Sequence, residues 1–215
     1  MLLQKKAILP VLVGAILLLS GAANAATFTL DQLVNGGTFV SEDGTLTFSN
    51  FQVTKTKRLS GNLALYTVTV PGDGFMLSSG EFTANTGGLR KLDLSYRVTA
   101  NQGAITGASM DSVGSSTSGK VKIEKDIDAL LSDEGTFLIN LIRSGSSILS
   151  DSDSFPAPGV VSFDVDEQIR IKKVSSLTSV SNHYTVVPEP AELSLLAAGL
   201  AGLTWLGRRR SANRV

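Results

Sequence analysis

The chain of 215 residues contains no cysteine and a single histidine. The missing thiols exclude disulfide bonds, Cys-ligated metal sites and thiol nucleophiles. One imidazole excludes a metal site built from several histidines. Basic and acidic side chains are equal in number, 19 of each, so the chain has no net positive charge with which to attract nucleic acid. We therefore expect no nucleic-acid partner.

The N-terminal 25 residues have the pattern of a secretory signal peptide. Lys5 and Lys6 precede an apolar run from Ala7 to Leu19, and small residues at Ala23 and Ala25 predict cleavage after Ala25. An N-terminal membrane anchor is the alternative, but the short apolar run and the small residues at the predicted cleavage site favour a signal peptide. The pattern predicts export through the secretion translocon.

The C-terminal residues 188–215 combine three features. Val187, Pro188, Glu189 and Pro190 are followed by an uncharged stretch from Leu193 to Gly207. As a helix, residues 193–207 would be roughly 22 Å long, which is short for a hydrocarbon core of about 30 Å. The basic cluster Arg208, Arg209 and Arg210 then predicts a cytoplasmic tail, which leaves residues 26–187, the body of the protein, on the outer side of the membrane.

The order of Pro188-Glu189-Pro190, the short transmembrane helix and the arginine cluster resembles the PEP-CTERM sorting signal of Gram-negative bacteria. The resemblance implies recognition by an exosortase, a membrane-embedded cysteine transpeptidase. The resemblance thus implies a protein that is transiently tethered to the inner membrane and faces the periplasm. The exosortase would then cut near the motif and pass the body on to the cell surface or the extracellular matrix. An ordinary tail anchor, with Pro-Glu-Pro as a stiff spacer, is the alternative.

Residues 26–187 are predicted to form one all-β domain, an antiparallel β-sandwich. From Lys91 to Thr99, apolar and polar residues alternate strictly, which is typical of a strand with one buried face. Shorter runs of this kind, among them 63–70, recur between Gly-rich and Asp-rich turns with no long helical period. Thr29 is expected to cap one helical turn over Leu30–Val34, and 114–119 to form a protruding loop.

We expect no catalytic residue. His183 is the only imidazole, and the chain has no Gly-x-Ser-x-Gly sequence to supply a serine nucleophile beside it. We interpret His183 as a structural residue at the beginning of a short strand, next to Tyr184. The chain is therefore predicted to be non-enzymatic, although a hydrolase stays among the alternatives.

Pairs of aspartates spaced two apart are the one constellation suited to a metal ion. On a strand this spacing puts both carboxylates on one face, and two such pairs from neighbouring loops could bind calcium through six to eight oxygens. Asp151 and Asp153 are the best calcium candidates, since a polar loop is predicted before Phe155. Solvated surface acids are the simpler interpretation. The other pairs are Asp126 with Asp128 and Asp164 with Asp166.

A sugar platform of exposed aromatic rings has few residues to draw on. The only tryptophan, Trp205, belongs to the tail, and Tyr66 and Tyr96 fall on apolar faces of predicted strands, which leaves Tyr184. Basic side chains could instead meet an anionic exopolysaccharide. The candidates are Lys55, Lys57, Arg58, Lys172 and Lys173.

Three functions stay open from the sequence. The first is a non-enzymatic protein of the cell surface or the exopolysaccharide matrix, processed by an exosortase. The second is a carbohydrate-binding module of that matrix. The third is an enzyme or a calcium-dependent adhesin. No cofactor is expected, apart from calcium under the adhesin hypothesis.

Overall fold

The body is all-β, with two antiparallel sheets. The computed structural model describes residues 25–84, 88–128, 136–142, 145–155 and 159–188. The strands are β1 Ala26–Thr29, β2 Phe39–Val40, β3 Leu46–Lys57, β4 Thr67–Val70, β5 Gly74–Ser78, β6 Thr83–Ala84, β7 Leu89–Ala100, β8 Ala104–Ser116, β9 Lys120–Asp128, β10 Thr136–Ile142, β11 Gly145–Ser154, β12 Ser162–Lys172 and β13 Ser175–Val187. One helix, α1 (Leu30–Val34), and two short 3-10 turns, Leu63–Leu65 and Gly80–Phe82, complete the described elements.

The strands divide into a seven-stranded and a six-stranded sheet. The seven-stranded sheet has the order β1, β4, β5, β13, β8 and β11, with β6 also pairing with β13. The six-stranded sheet has the order β10, β9, β12, β7, β3 and β2. Strands β13 and β12 therefore lie inside their sheets with a neighbour on each side, and their inward residues face each other across the core.

The core between the sheets contains most of the aromatic side chains. Phe39 stacks on Phe48 with ring centroids 4.8 Å apart, and Phe75 meets the edge of Tyr96 at 5.0 Å. Burying large rings of this kind is the main favourable contribution in a domain that has no disulfide bonds. The aromatic residues thus serve the interior.

Several predicted elements are confirmed. In β7, Leu92, Leu94, Tyr96 and Val98 are buried and their neighbours are not. Thr29 caps α1, with its hydroxyl accepting a hydrogen bond from the Gln32 backbone, while the Gln32 side chain accepts one from the Thr29 backbone.

Two predicted boundaries are wrong. Residues 63–70 do not form one strand, because the side chain of Asn62 accepts a hydrogen bond from the Ala64 backbone and caps a 3-10 turn before β4 begins at Thr67. The loop predicted over 114–119 is much shorter. Gly114 is paired on both sides, with β11 and with β13, and β8 continues to Ser116.

The chain leaves the body at the end of β13. Val187 is half exposed and Pro188 is exposed. Gly103 lies beside them with a positive φ of 75°, and a Cβ atom there would come within 2.9 Å of the Pro188 Cα. Within the described ranges, no helix has the length and apolar character needed to span a membrane. The predicted helix over 193–207 lies outside them.

Candidate functional site

A polar groove lies on the outer face of the six-stranded sheet. Its volume is about 410 Å³, and β7, β9 and β12 form most of its floor with neighbouring β3. The outward polar side chains along the groove are Thr54, Asp93, Glu124, Asp126, Asp166, Gln168 and Arg170. They face outward because side chains alternate along each strand while Ile123, Leu94 and Ile169 take the inward positions.

The strand register places two of the predicted aspartate pairs next to each other. Asp126 on β9 lies opposite Asp166 on β12, and Asp128 lies opposite Asp164. Each pair shares a face, as the spacing predicts. The two pairs come from neighbouring strands, however, and not from loops.

The groove carries negative charge with cations at its borders. Partial burial, followed by the charges of Asp126, Asp164, Asp128 and Asp93, raises the pKa of Asp166. At one border, Arg97 binds Asp164 through two hydrogen bonds of 2.8 and 2.6 Å, which hold the pKa of that carboxyl below its usual value.

At the other end of the groove, carboxylates are paired with basic side chains. Glu124 contacts Lys122 and lies 3.0 Å from Arg170, and Asp93 accepts a 2.7 Å hydrogen bond from Lys91 through one oxygen. The second Asp93 oxygen is buried and has no hydrogen-bond partner among the described residues.

The groove can form hydrogen bonds but offers no aromatic stacking from the tyrosines. Carboxylates accept hydrogen bonds from hydroxyl groups, and amide and guanidinium groups donate them. Tyr66, Tyr96 and Tyr184 are all buried, so the expectation that the first two belong to the core is confirmed and extends to the third. The arrangement suits a hydroxyl-rich ligand held by polar contacts.

The predicted loop for the calcium candidates Asp151 and Asp153 is wrong. Both residues lie in β11, which pairs with β8 over its whole length. The Asp153 carboxylate accepts a 2.8 Å hydrogen bond from the Ser154 backbone, and Asp151 accepts one of 3.0 Å from Ser152. Across the described part of the chain, no three acidic or histidine side chains are grouped so as to hold a metal ion.

His183 lies within β13 and not at its beginning. Its Nδ1 is 2.8 Å from an oxygen of Asp73, and its Nε2 is 3.7 Å from an oxygen of Asp111. The side chain faces the outer surface of the seven-stranded sheet, far from the groove. No serine hydroxyl is hydrogen-bonded to this ring in the part of the molecule that is described.

The basic candidates are only partly brought together. Lys172 shares an apolar-floored depression of about 300 Å³ with Lys120, Lys122 and Arg170. Lys57, Arg58 and Lys173 are exposed but do not line this depression, and the Lys55 side chain is outside the described part.

Most residues of the predicted signal peptide and of the predicted C-terminal sorting signal also lie outside the described ranges. Among the sorting-motif residues, Val187 and Pro188 are described; Glu189 and Pro190 are not, nor is the arginine cluster Arg208, Arg209 and Arg210. At the signal cleavage site, Ala25 is described and exposed, whereas Ala23 is outside.

Sequence reasoning missed three polar residues inside the sandwich. Lys125, Glu167 and Asn182 are at most 1% exposed. Lys125 and Glu167 carry a signal that alternation could have revealed, because each occupies an inward position of an otherwise apolar strand face.

Comparisons with known proteins identify no family. No family model matches the chain, and neither does any curated protein. Among solved structures, the carbohydrate-binding module TmCBM61, in complex with β-1,4-galactotriose, is 10% identical with a TM-score of 0.39, covering 66% of this chain and 90% of that one. The module CBM6cm-2 from Cellvibrio mixtus lichenase 5A, in complex with cellotriose, is 12% identical with a TM-score of 0.29, covering 69% and 97%. TM-scores this low support no conclusion about fold or ligand.

Proposed function

We propose that residues 26–187 form an exported, non-enzymatic domain that binds a neutral polysaccharide in the outer groove of the six-stranded sheet. The observation that carries the proposal is the groove itself, which Asp93, Asp126, Asp166 and Gln168 line together on one outer sheet face. The proposal does not depend on the likeness to carbohydrate-binding modules.

The charges of the groove favour a neutral ligand over an anionic one. The raised pKa of Asp166 reflects partial burial and repulsion among neighbouring carboxylates, and an anionic polymer would add to that repulsion. Sugar hydroxyls instead donate to carboxylates, and such charge-assisted hydrogen bonds are the stronger kind.

Affinity electrophoresis in gels containing neutral polysaccharides tests the proposal. Asp126→Ala and Gln168→Ala each remove a groove side chain that lies at the surface, and we expect each to weaken retardation about tenfold, because one hydrogen bond to a charged or polar group contributes about 1.5 kcal/mol. Ser181→Ala, on the outer face of the other sheet, is the matched control and should migrate as the wild type does.

Two results would contradict groove binding. One is a wild-type protein that no neutral polysaccharide retards. The other is equal retardation of wild type and both groove variants. Repeating the gels with calcium and with a chelator separates this proposal from the calcium-dependent adhesin, for which retardation would need the ion.

For delivery, we propose that an exosortase processes the chain at Pro188-Glu189-Pro190. Support comes from the motif order in the sequence and from the exposure of Val187 and Pro188 directly after β13. Changing the three motif residues to alanine should leave the protein in the inner-membrane fraction with its tail attached. Surface delivery of that variant with the tail removed would contradict the proposal, and mass spectrometry of the mature C-terminus distinguishes the two outcomes.

A further inference from the structure

A polar cluster lies in the dry interior between the two sheets. Lys125 on β9 and Glu167 on β12 are cross-strand neighbours, and both point inward. Asn182 on β13 faces them from the opposite sheet and is 0% exposed. An amine, a carboxyl and a carboxamide are thus enclosed together, away from water.

These groups lack the hydrogen bonds that buried polar atoms normally make. Lys125 Nζ, Glu167 Oε1 and both polar atoms of the Asn182 side chain have no hydrogen-bond partner among the described residues. Leaving such atoms unpaired in an apolar interior costs several kcal/mol for charged groups, so an unpaired set of this kind calls for an explanation.

Two tyrosines connect Lys125 and Glu167 with the face of β13 that carries Asn182. Lys125 Nζ lies 5.2 Å from the centroid of the Tyr184 ring, two residues beyond Asn182 on the same face of β13. The Tyr184 hydroxyl is 2.8 Å from that of Tyr96, which in turn donates to Glu167 at 3.4 Å. The Lys125 side chain therefore reaches across the core to β13, and Glu167 is its cross-strand neighbour.

The surroundings favour the uncharged forms that acyl transfer needs. Burial lowers the pKa of Lys125 to about 8, and burial raises the pKa of Glu167, although the Lys125 charge and the nearby Asn182 amide oppose that rise. An unprotonated amine is a nucleophile, and a protonated carboxyl can donate to a carbonyl oxygen.

We propose that Lys125 and Asn182 are joined by an intramolecular isopeptide bond whose formation Glu167 assists. Lys125 Nζ attacks Asn182 Cγ, so the Nζ–Cγ bond forms and the Cγ–Nδ2 bond breaks. Glu167 donates a proton to the amide and takes one from Nζ, so that Nδ2 leaves as ammonia. The products are a secondary amide and one ammonia molecule, with Glu167 restored and no oxidant or reductant required.

Such a bond would link the two sheets directly. Lys125 belongs to the six-stranded sheet and Asn182 to the seven-stranded sheet. The chain has no cysteine, so no disulfide can do this. A secondary amide would also remove the buried amine and the unpaired carboxamide nitrogen.

The intact mass of the purified, folded protein tests the proposal. With its termini determined, the wild type should be lighter than its sequence mass by one ammonia molecule, and a digest should contain the Lys125 peptide joined to the Asn182 peptide. The joined peptides matter because cyclisation of an asparagine to a succinimide also releases ammonia but joins nothing. A wild-type mass equal to the sequence mass would overturn the proposal, as would ammonia loss without joined peptides.

Variants then test the roles. Glu167→Gln keeps the shape of the carboxyl without its proton transfer and should stop the ammonia loss, as should Lys125→Arg. Lys122→Arg, on the outer face of the same strand, is the matched control and should keep it. Circular dichroism establishes that each variant is folded. Joined peptides in a folded Glu167→Gln protein would remove Glu167 from the mechanism.

Discussion

Strands β9 and β12 place the same kinds of side chain on two opposite faces, and the outcomes differ. Outside, Lys122 contacts Glu124, and Arg97 of β7 binds Asp164, so these four charges are paired at the surface that faces water. Inside, Lys125 and Glu167 are neighbours by register but form no ion pair in the described part. Water screens charges on the outer face, whereas the inner face must neutralise them.

The largest expected effect is on the free energy of unfolding, and it distinguishes a covalent cross-link at Lys125 from an unlinked buried amine. Lys125→Met keeps most of the length of the side chain and removes its amine. The change also leaves Glu167 buried without its cross-strand neighbour, which is itself destabilising, so the same substitution in Asn182→Ala, which cannot form the link, measures that cost alone. If Lys125 is cross-linked, the substitution in the wild type should lower the free energy of unfolding by about 4 kcal/mol more than it does in Asn182→Ala, the loop-closure contribution of a long cross-linked loop.

Chemical denaturation with Lys122→Met as the control measures this difference. Lys122 lies on the outer face, and its replacement should change the free energy of unfolding by less than about 1 kcal/mol. If Lys125→Met were as stable as the wild type, the proposed cross-link would be contradicted.

A second, smaller effect is a pH dependence of the free energy of unfolding, which only a protein without the cross-link should have. In Asn182→Ala, Lys125 keeps a free amine whose pKa is lowered by burial to about 8 from 10.5. Between these values the unfolded chain binds more protons than the folded one, so stability should rise as pH increases from 8 to 10.5.

The other titratable groups around Lys125 do not produce that rise. The pKa values of Tyr96 and Tyr184 are both raised by burial, so the two phenols stay neutral in this window. The raised pKa of Glu167 favours the unfolded state as pH increases, which is the opposite direction. Denaturation midpoints from pH 7.5 to 10.5 check the prediction, and an identical rise in the wild type would argue against an amide at Lys125.

The two faces also differ in how much of them the sequence could predict. Alternation in β7, β9 and β12 is local, so it identifies inward and outward positions, including the two outward aspartate pairs. Which strand lies beside which depends on contacts far apart in the chain, and alternation carries no information about it. The groove could therefore not be assembled from the sequence, although Asp126 and Asp166 belong to the aspartate pairs that the sequence indicates.

The inward position of Asn182 could not be predicted from the sequence for a different reason. The register of β13 against β8 shifts between Leu177 and Ser179, and both Ser179 and Val180 are buried. Strict alternation continued from Leu177 would have turned Asn182 to solvent and His183 to the core. A β-bulge reverses the faces beyond it, and its position is set by the neighbouring strands.

The smallest expected effect on stability lies on the outer face, where repulsion among the groove carboxylates should be measurable but weak. Asp166→Asn removes one carboxylate whose pKa is raised by partial burial and by Asp126, Asp164, Asp128 and Asp93. A raised pKa means that the ionised form is less favourable in the folded state, so the variant should be more stable at pH 7, by less than about 1 kcal/mol because water screens the group. The gain should disappear below pH 3.8, the ordinary value, where Asp166 is protonated in both states. Thermal denaturation at pH 7 and pH 3 measures it. A loss of stability at pH 7 would mean that Asp166 makes a favourable contact, and the outer face would then resemble the paired border at Arg97 and not a repelling groove.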